Sequence, residues 1–146
     1  MEFPASSDHW TRLDSQGFSA LIGPIFGRIE GDGRSLYRLD PQEHHRNRSG
    51  VVHGGVIMTL ADIAAANTLR RAAPDCGFTT VQTDVHFMRA ASVTLPLTCE
   101  CVIDKLGLSL AFVEVRLTSD EQAVAIVRSV WRITEKKGVR IAIEAS

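Results

Sequence analysis

The chain has 146 residues and carries 16 Lys and Arg against 17 Asp and Glu, a formal net charge of −1 at neutral pH. That length suits one domain spanning residues 1–146 with its own core and no disulfide or metal staples, and a near-neutral balance without a basic stripe argues against a nucleic-acid partner. Met1 to Trp10, MEFPASSDHW, lacks a basic start followed by an apolar run, and the longest apolar stretch is broken by His53, Thr59 and Asp62, so a soluble, cytoplasmic protein away from membranes is expected.

Residues 1–20 mix turn formers with Trp10, Leu13 and Phe18, a pattern that predicts a short amphipathic helix packed on the body. IFGRIE and RSLYRLD follow, separated by Gly31, Asp32 and Gly33, and read as a hairpin. PQEHHRNRSG is polar, begins at Pro41 and ends at Gly50, and reads as a loop. A helix is predicted from about His53 to Arg71. Nearly every residue from Val56 to Ala66 is apolar, cations gather at the carbonyl end, and Pro74 stops further winding. The period then changes to two. In TTVQTDVHFM, Val81, Thr83, Val85 and Phe87 alternate with polar residues, and LTCECVI, LAFVEVRL and AVAIVRSVWRI supply three further strands. Cys99 and Cys101 share one face of a strand and, with Cys76, read as reduced, small apolar residues. One long buried helix among a hairpin and four consecutive strands predicts an α+β architecture, an antiparallel sheet wrapped around that helix.

Asp62 needs a reason to stand in an apolar helix, because an isolated buried carboxylate costs several kcal/mol without compensation. A raised pKa or a hydrogen-bonding partner would suit a general base or nucleophile. Gly54 and Gly55 sit where the loop enters the helix, so its first amides lack helical acceptors and bulky neighbours. Aimed at a thioester or ester carbonyl, they would stabilise the oxyanion of acyl transfer. Eight residues separate Gly54 from Asp62, roughly 12 Å along a helix axis. If both act on one bond, the aspartate comes from a second copy of the chain.

Asn47, Gly50, His53, Gly54, Gly55 and Asp62, read as NxxGxxHGGxxxTLAD, resemble the signature of hotdog-fold acyl-CoA thioesterases, in the branch of the PaaI-type phenylacetate-degradation and 4-hydroxybenzoyl-CoA enzymes. The resemblance runs from about Ile25 to Ile133 and implies a fold, a reaction and a set of roles. Gly54 becomes the backbone oxyanion donor, Asp62 of the facing subunit the base or nucleophile, and Asn47 the residue that positions the carbonyl or water. His53 organises the loop, with Gly55 beside it on the substrate side, and Thr80 stands where relatives hold a serine that orients water. VHFMRAA resembles the family's Phe-x-Arg-Pro strand end, with Ala90 in place of proline and Arg89 beside the substrate. An aryl or medium-chain acyl-CoA substrate, a homodimer assembled as a tetramer, and hydrolysis without metal or organic cofactor are implied. The alternatives are a non-catalytic acyl-CoA sensor and a hydratase on the same fold.

Three further groups carry weaker signals. His44 and His45 beside Glu43 are adjacent loop residues that converge poorly on one ion, so no metal site is expected. Arg46, Arg48, Arg70, Arg71 and Arg89 are solvated charges or contacts for coenzyme A phosphates. Trp10, Phe18, Phe26 and Phe87 are expected in the core.

Overall fold

A computed structural model describes residues 9–32 and 34–135. Its centre is α2, Gly54–Ala72. The entry is fixed by His53, whose backbone is extended and whose Nδ1 accepts the Gly55 N–H at 2.8 Å. The exit comes where the Ala73 N–H closes on the Leu69 carbonyl just before Pro74. Ile57, Leu60, Ala61, Ala64, Ala65 and Leu69 recur at helical spacing and are buried. The expectation of a helix buried on all sides is corrected here. Met58 is exposed, Thr59, Asp62, Ile63 and Asn67 are half-buried, and one chain alone leaves this second face uncovered.

All sheet pairings are antiparallel, in the order β1 (Thr11–Arg12), β2 (Ile25–Ile29), β3 (Ser35–Leu39), β5 (Leu97–Leu106), β6 (Leu110–Ser119), β7 (Gln122–Glu135) and β4 (Cys76–Phe87). The predicted hairpin is β2, Ile25–Ile29, with β3, Ser35–Leu39; its turn residue Gly33 lies outside the described residues. Tyr37 on β3 is tied to α2 by a 2.9 Å hydrogen bond between its hydroxyl and that of Thr68. β5, Leu97–Leu106, β6, Leu110–Ser119, and β7, Gln122–Glu135, form a meander. Their alternating residues Leu97, Cys99, Cys101, Val113, Val115, Val127 and Trp131 face α2 as the core. Burial pushes the Cys101 thiol up to about 11 and raises Cys99 as well, so both stay protonated and unreactive at neutral pH.

β4, Cys76–Phe87, pairs with β7 at the edge opposite β1 rather than with its sequence neighbour β5. A bulge interrupts it: Thr80 faces Trp131 and Gln82 faces Val130, leaving Val81 unpaired and 61% exposed. The predicted face of Val81, Thr83, Val85 and Phe87 is thereby corrected. Phe78 and Thr80 before the bulge share the helix-facing side with Thr83, Val85 and Phe87 after it, opposite Ile133, Trp131, Ser129, Val127 and Ala125.

The amino-terminal expectation also changes. Residues 1–8 lie outside the described residues; Thr11–Arg12 form β1 against β2, and the helix is the five-residue α1, Phe18–Ile22. Phe18 is exposed and Trp10 only half-buried beneath the Arg28 guanidinium at 4.8 Å, so neither is core. The loop before α2 is organised by His45, which is buried. Its Nδ1 accepts the Gln42 N–H at 2.8 Å and its Nε2 donates to the Ile22 carbonyl at 2.8 Å, both demands of a neutral ring. Neither nitrogen is left for a metal.

Burial, aided by the neighbouring His44, holds His45 below its ordinary 6.5. A lowered folded value means that the unfolded chain binds the proton first, so the His45 contribution to stability is complete above pH 6.5 and falls as pH drops towards the folded value. Thermal unfolding of the wild type is expected to lose midpoint through this window. His45→Gln should be less stable at pH 7.5 and show a shallower fall; parallel pH curves would exclude His45 as the titrating group.

Candidate active site

The candidate functional residues fall into two groups on the uncovered face of α2. The first surrounds the helix start. Asn47 opens a turn that reverses at Gly50, whose φ of 82° is a left-handed conformation that favours glycine. The Asn47 Oδ1 accepts the backbone N–H groups of Ser49, at 2.9 Å, and Val51, at 3.3 Å. Its carbonyl oxygen is committed to the loop, and its amide N–H₂ is the group left to act as donor. At the first position of α2, the Gly54 N–H has no acceptor among the described residues, whereas Gly55 N–H is held by His53 and Val56 N–H by the His53 carbonyl. The two glycine amides are alike in sequence, but of the two only that of Gly54 is open.

Asn47, Gly54, Phe87 and Arg89 border one depression of about 380 Å³. Phe87 was expected in the core but is 54% exposed, with its ring over the helix start; a Cβ at Gly54 would stand 3.1 Å from it. Close ring packing is a second reason for glycine there. Arg89 follows the strand without the expected proline, its N–H closing on the Val124 carbonyl at 3.2 Å.

The second group lies two turns along α2. Thr80 Oγ1 donates to Asp62 Oδ1 at 2.8 Å, across the step from β4 to the helix. The bulge at Val81 is what turns Thr80 to this side. Asp62 Oδ2 has no partner among the described residues. Asp62 also ends a cleft of about 180 Å³ whose floor continues along α2 through Asn67 to Arg70 and whose wall is the amino-terminal segment at Leu13 to Gln16. That wall was not foreseen, since nothing local in residues 13–16 signals which surface they cover. Among the described residues, no three His, Cys, Asp or Glu side chains converge as a metal site, and no helix is long and apolar enough to cross a membrane.

A seven-stranded antiparallel sheet around one long helix, with an open amide at the helix start and a carboxylate two turns on, is the hotdog arrangement. Residues 49–126 match the model of the thioesterase superfamily. The chain belongs to that family and is a thioester hydrolase. It is 32% identical over 114 residues to PA0474 of Pseudomonas aeruginosa, whose name assigns it provisionally to the esterases, covering 77% of this chain and 85% of that one. Human acyl-coenzyme A thioesterase 13 is 27% identical over 108 residues, 72% of this chain and 75% of that one. The structure of zebrafish thioesterase superfamily member 2 superposes with a TM-score of 0.74 at 25% identity, covering 82% of this chain and 88% of that one. The fold is shared with the Escherichia coli PaaI protein of the phenylacetic acid degradation operon, with a TM-score of 0.64 at 17% identity over 68% of this chain and 71% of that one.

Proposed function

We propose that the protein hydrolyses acyl-CoA thioesters at two sites per homodimer, each built from the helix start of one chain and the Asp62 region of the other. The observation that carries this reading is the separation of the two groups. Both lie on the uncovered face of α2, yet eight helical residues, roughly 12 Å, keep Gly54 from sharing a carbonyl with Asp62 of its own chain. The free edge of β4 and the exposed Met58 and Val81 suit a symmetric partner whose α2 runs antiparallel, setting one Gly54 opposite the other Asp62. Exposed Val102, Leu110 and Phe112 on the outer sheet face would then join two dimers into a tetramer.

The chemistry follows from which atoms are open. Gly54 N–H and the Asn47 amide donate to the thioester oxygen, where charge develops during attack; one such donor is worth on the order of 3 kcal/mol. Thr80 spends its only hydrogen on Asp62 Oδ1, so it can accept one hydrogen of a water molecule while Asp62 Oδ2 takes the other as a proton. This division favours Asp62 as general base. The hydroxide so generated attacks the carbonyl carbon, the carbon–sulfur bond breaks, and coenzyme A leaves as the thiol after receiving the proton.

Incubation with acyl-CoAs and a thiol reagent is expected to show steady release of free coenzyme A, unchanged by chelators because carboxylate and amides suffice. Activity lost on chelation and restored by a divalent ion would overturn the metal-free mechanism. Tight binding without thiol release would instead identify a sensor.

A further inference from the structure

The cleft that begins at Asp62 has an unusual lining for an acyl site. Asp62, Ala66 and Arg70 stand four residues apart on one line of α2, with Ile63 and Asn67 beside them, so the floor passes from carboxylate to methyl to amide and guanidinium over roughly 12 Å. Arg70 makes no ion pair among the described residues. Asn67 donates one N–H to the Ile63 carbonyl at 2.8 Å, leaving its other N–H and its Oδ1 open. The facing wall sets the polar Asp14, Ser15, Gln16 and Ser19 beside a single aliphatic side chain, Leu13.

Such a floor rejects a plain hydrocarbon. An alkyl chain laid over Asn67 and Arg70 would strip their water and return no hydrogen bond, and an unsatisfied polar group costs far more than a missing methylene. An oxygen at the far end of the acyl group would restore the bond, and a guanidinium makes it charge-assisted. Arg70 in the last turn also suits the helix dipole, but that role needs no cleft and no neighbouring amide.

We infer that the Asp62–Arg70 cleft receives the acyl group, and that Asn67 and Arg70 select acyl groups ending in an oxygen acceptor, a hydroxyl or a carboxylate. This rests on the reading that the thioester carbonyl sits by Asp62.

The test compares hexanoyl, omega-hydroxyhexanoyl and adipoyl coenzyme A, which share one chain length. The wild type should favour at least one oxygen-ended substrate over hexanoyl by about tenfold or more in kcat/KM, chiefly through KM. Arg70→Met, which keeps the apolar stem, should bring the adipoyl ratio to within about twofold of unity, and Asn67→Leu should do the same for the hydroxyl ratio. A dominant adipoyl preference identifies a carboxylate ligand, and a dominant hydroxyl preference a neutral one. Equal or better turnover of hexanoyl, or a preference that survives both substitutions, overturns the inference. Arg70→Gln serves if the methionine variant does not fold. Calorimetry with the unreactive thioether analogues of the same acyl-CoAs gives Kd ratios that judge selectivity independently of turnover. A wild type that binds the analogues with the expected ratio but hydrolyses nothing would sink the proposed reaction while leaving the selectivity standing.

Discussion

Asp62→Asn is expected to lower kcat by at least about a hundredfold, the scale of general base catalysis, with a much smaller change in KM. Asparagine keeps the shape and an oxygen that can still accept the Thr80 hydroxyl, whereas Asp62 Oδ2, the atom assigned the proton, becomes an amide nitrogen that cannot take it. The fold should survive. Asp62 is half-buried in one chain, and a shape-conserving change at such a position shifts stability by about 1 kcal/mol or less in either direction. Steady-state kinetics beside thermal unfolding checks both halves. A folded variant with kcat within about tenfold of the wild type would remove Asp62 from the chemistry.

The complementary experiment asks whether the two groups meet across an interface. Gly54→Pro deletes the open amide, and the backbone is suited to it. Gly54 is the first residue of α2, where proline is tolerated, and His53 before it has φ −62° and ψ 136°, the extended conformation that proline requires of its predecessor. The Phe87 ring must move by a few tenths of an ångström, which its exposure allows. Each variant alone should be nearly inactive. Mixed under conditions that exchange subunits, about half the dimers become heterodimers, and one of the two sites in each holds both wild-type elements, so activity should return to about a quarter of the wild-type value. Proven heterodimers without recovered activity would show that the amide and the carboxylate act on different bonds or not at all.

Residue order alone determined the elements that rest on local periodicity and local caps. The sequence predicts α2 from about His53 to Arg71 and the helix is Gly54–Ala72, because apolar spacing, terminal cations and a following Pro74 are properties of a short stretch. The inward faces of β5 and β6 were legible for the same reason, since alternation needs no knowledge of the neighbouring strand. The motif from Asn47 to Asp62 marked both groups of the candidate site, and helix rise alone showed that they could not serve one carbonyl within a chain.

Tertiary structure decided what depends on a distant partner. That β4 lies beside β7 and not β5 follows from long-range pairing, which no alternation in TTVQTDVHFM encodes. The bulge at Val81 is invisible to a period-two reading, yet it reverses the parity of the strand and brings Thr80 to the helix side, where its hydroxyl reaches Asp62. Phe87 reads as core by its composition, but the edge position of β4 leaves it without a second layer, and its ring covers Gly54 instead. Asp62 reads as buried because the helix around it is apolar. One chain covers only one side of that helix, so the uncovered side is set by how the sheet curves and where it stops. The wall of residues 13–16 along the Asp62 cleft has the same origin: β1 pairs with β2 and carries the segment across α2, and that route depends on a partner strand more than ten residues away.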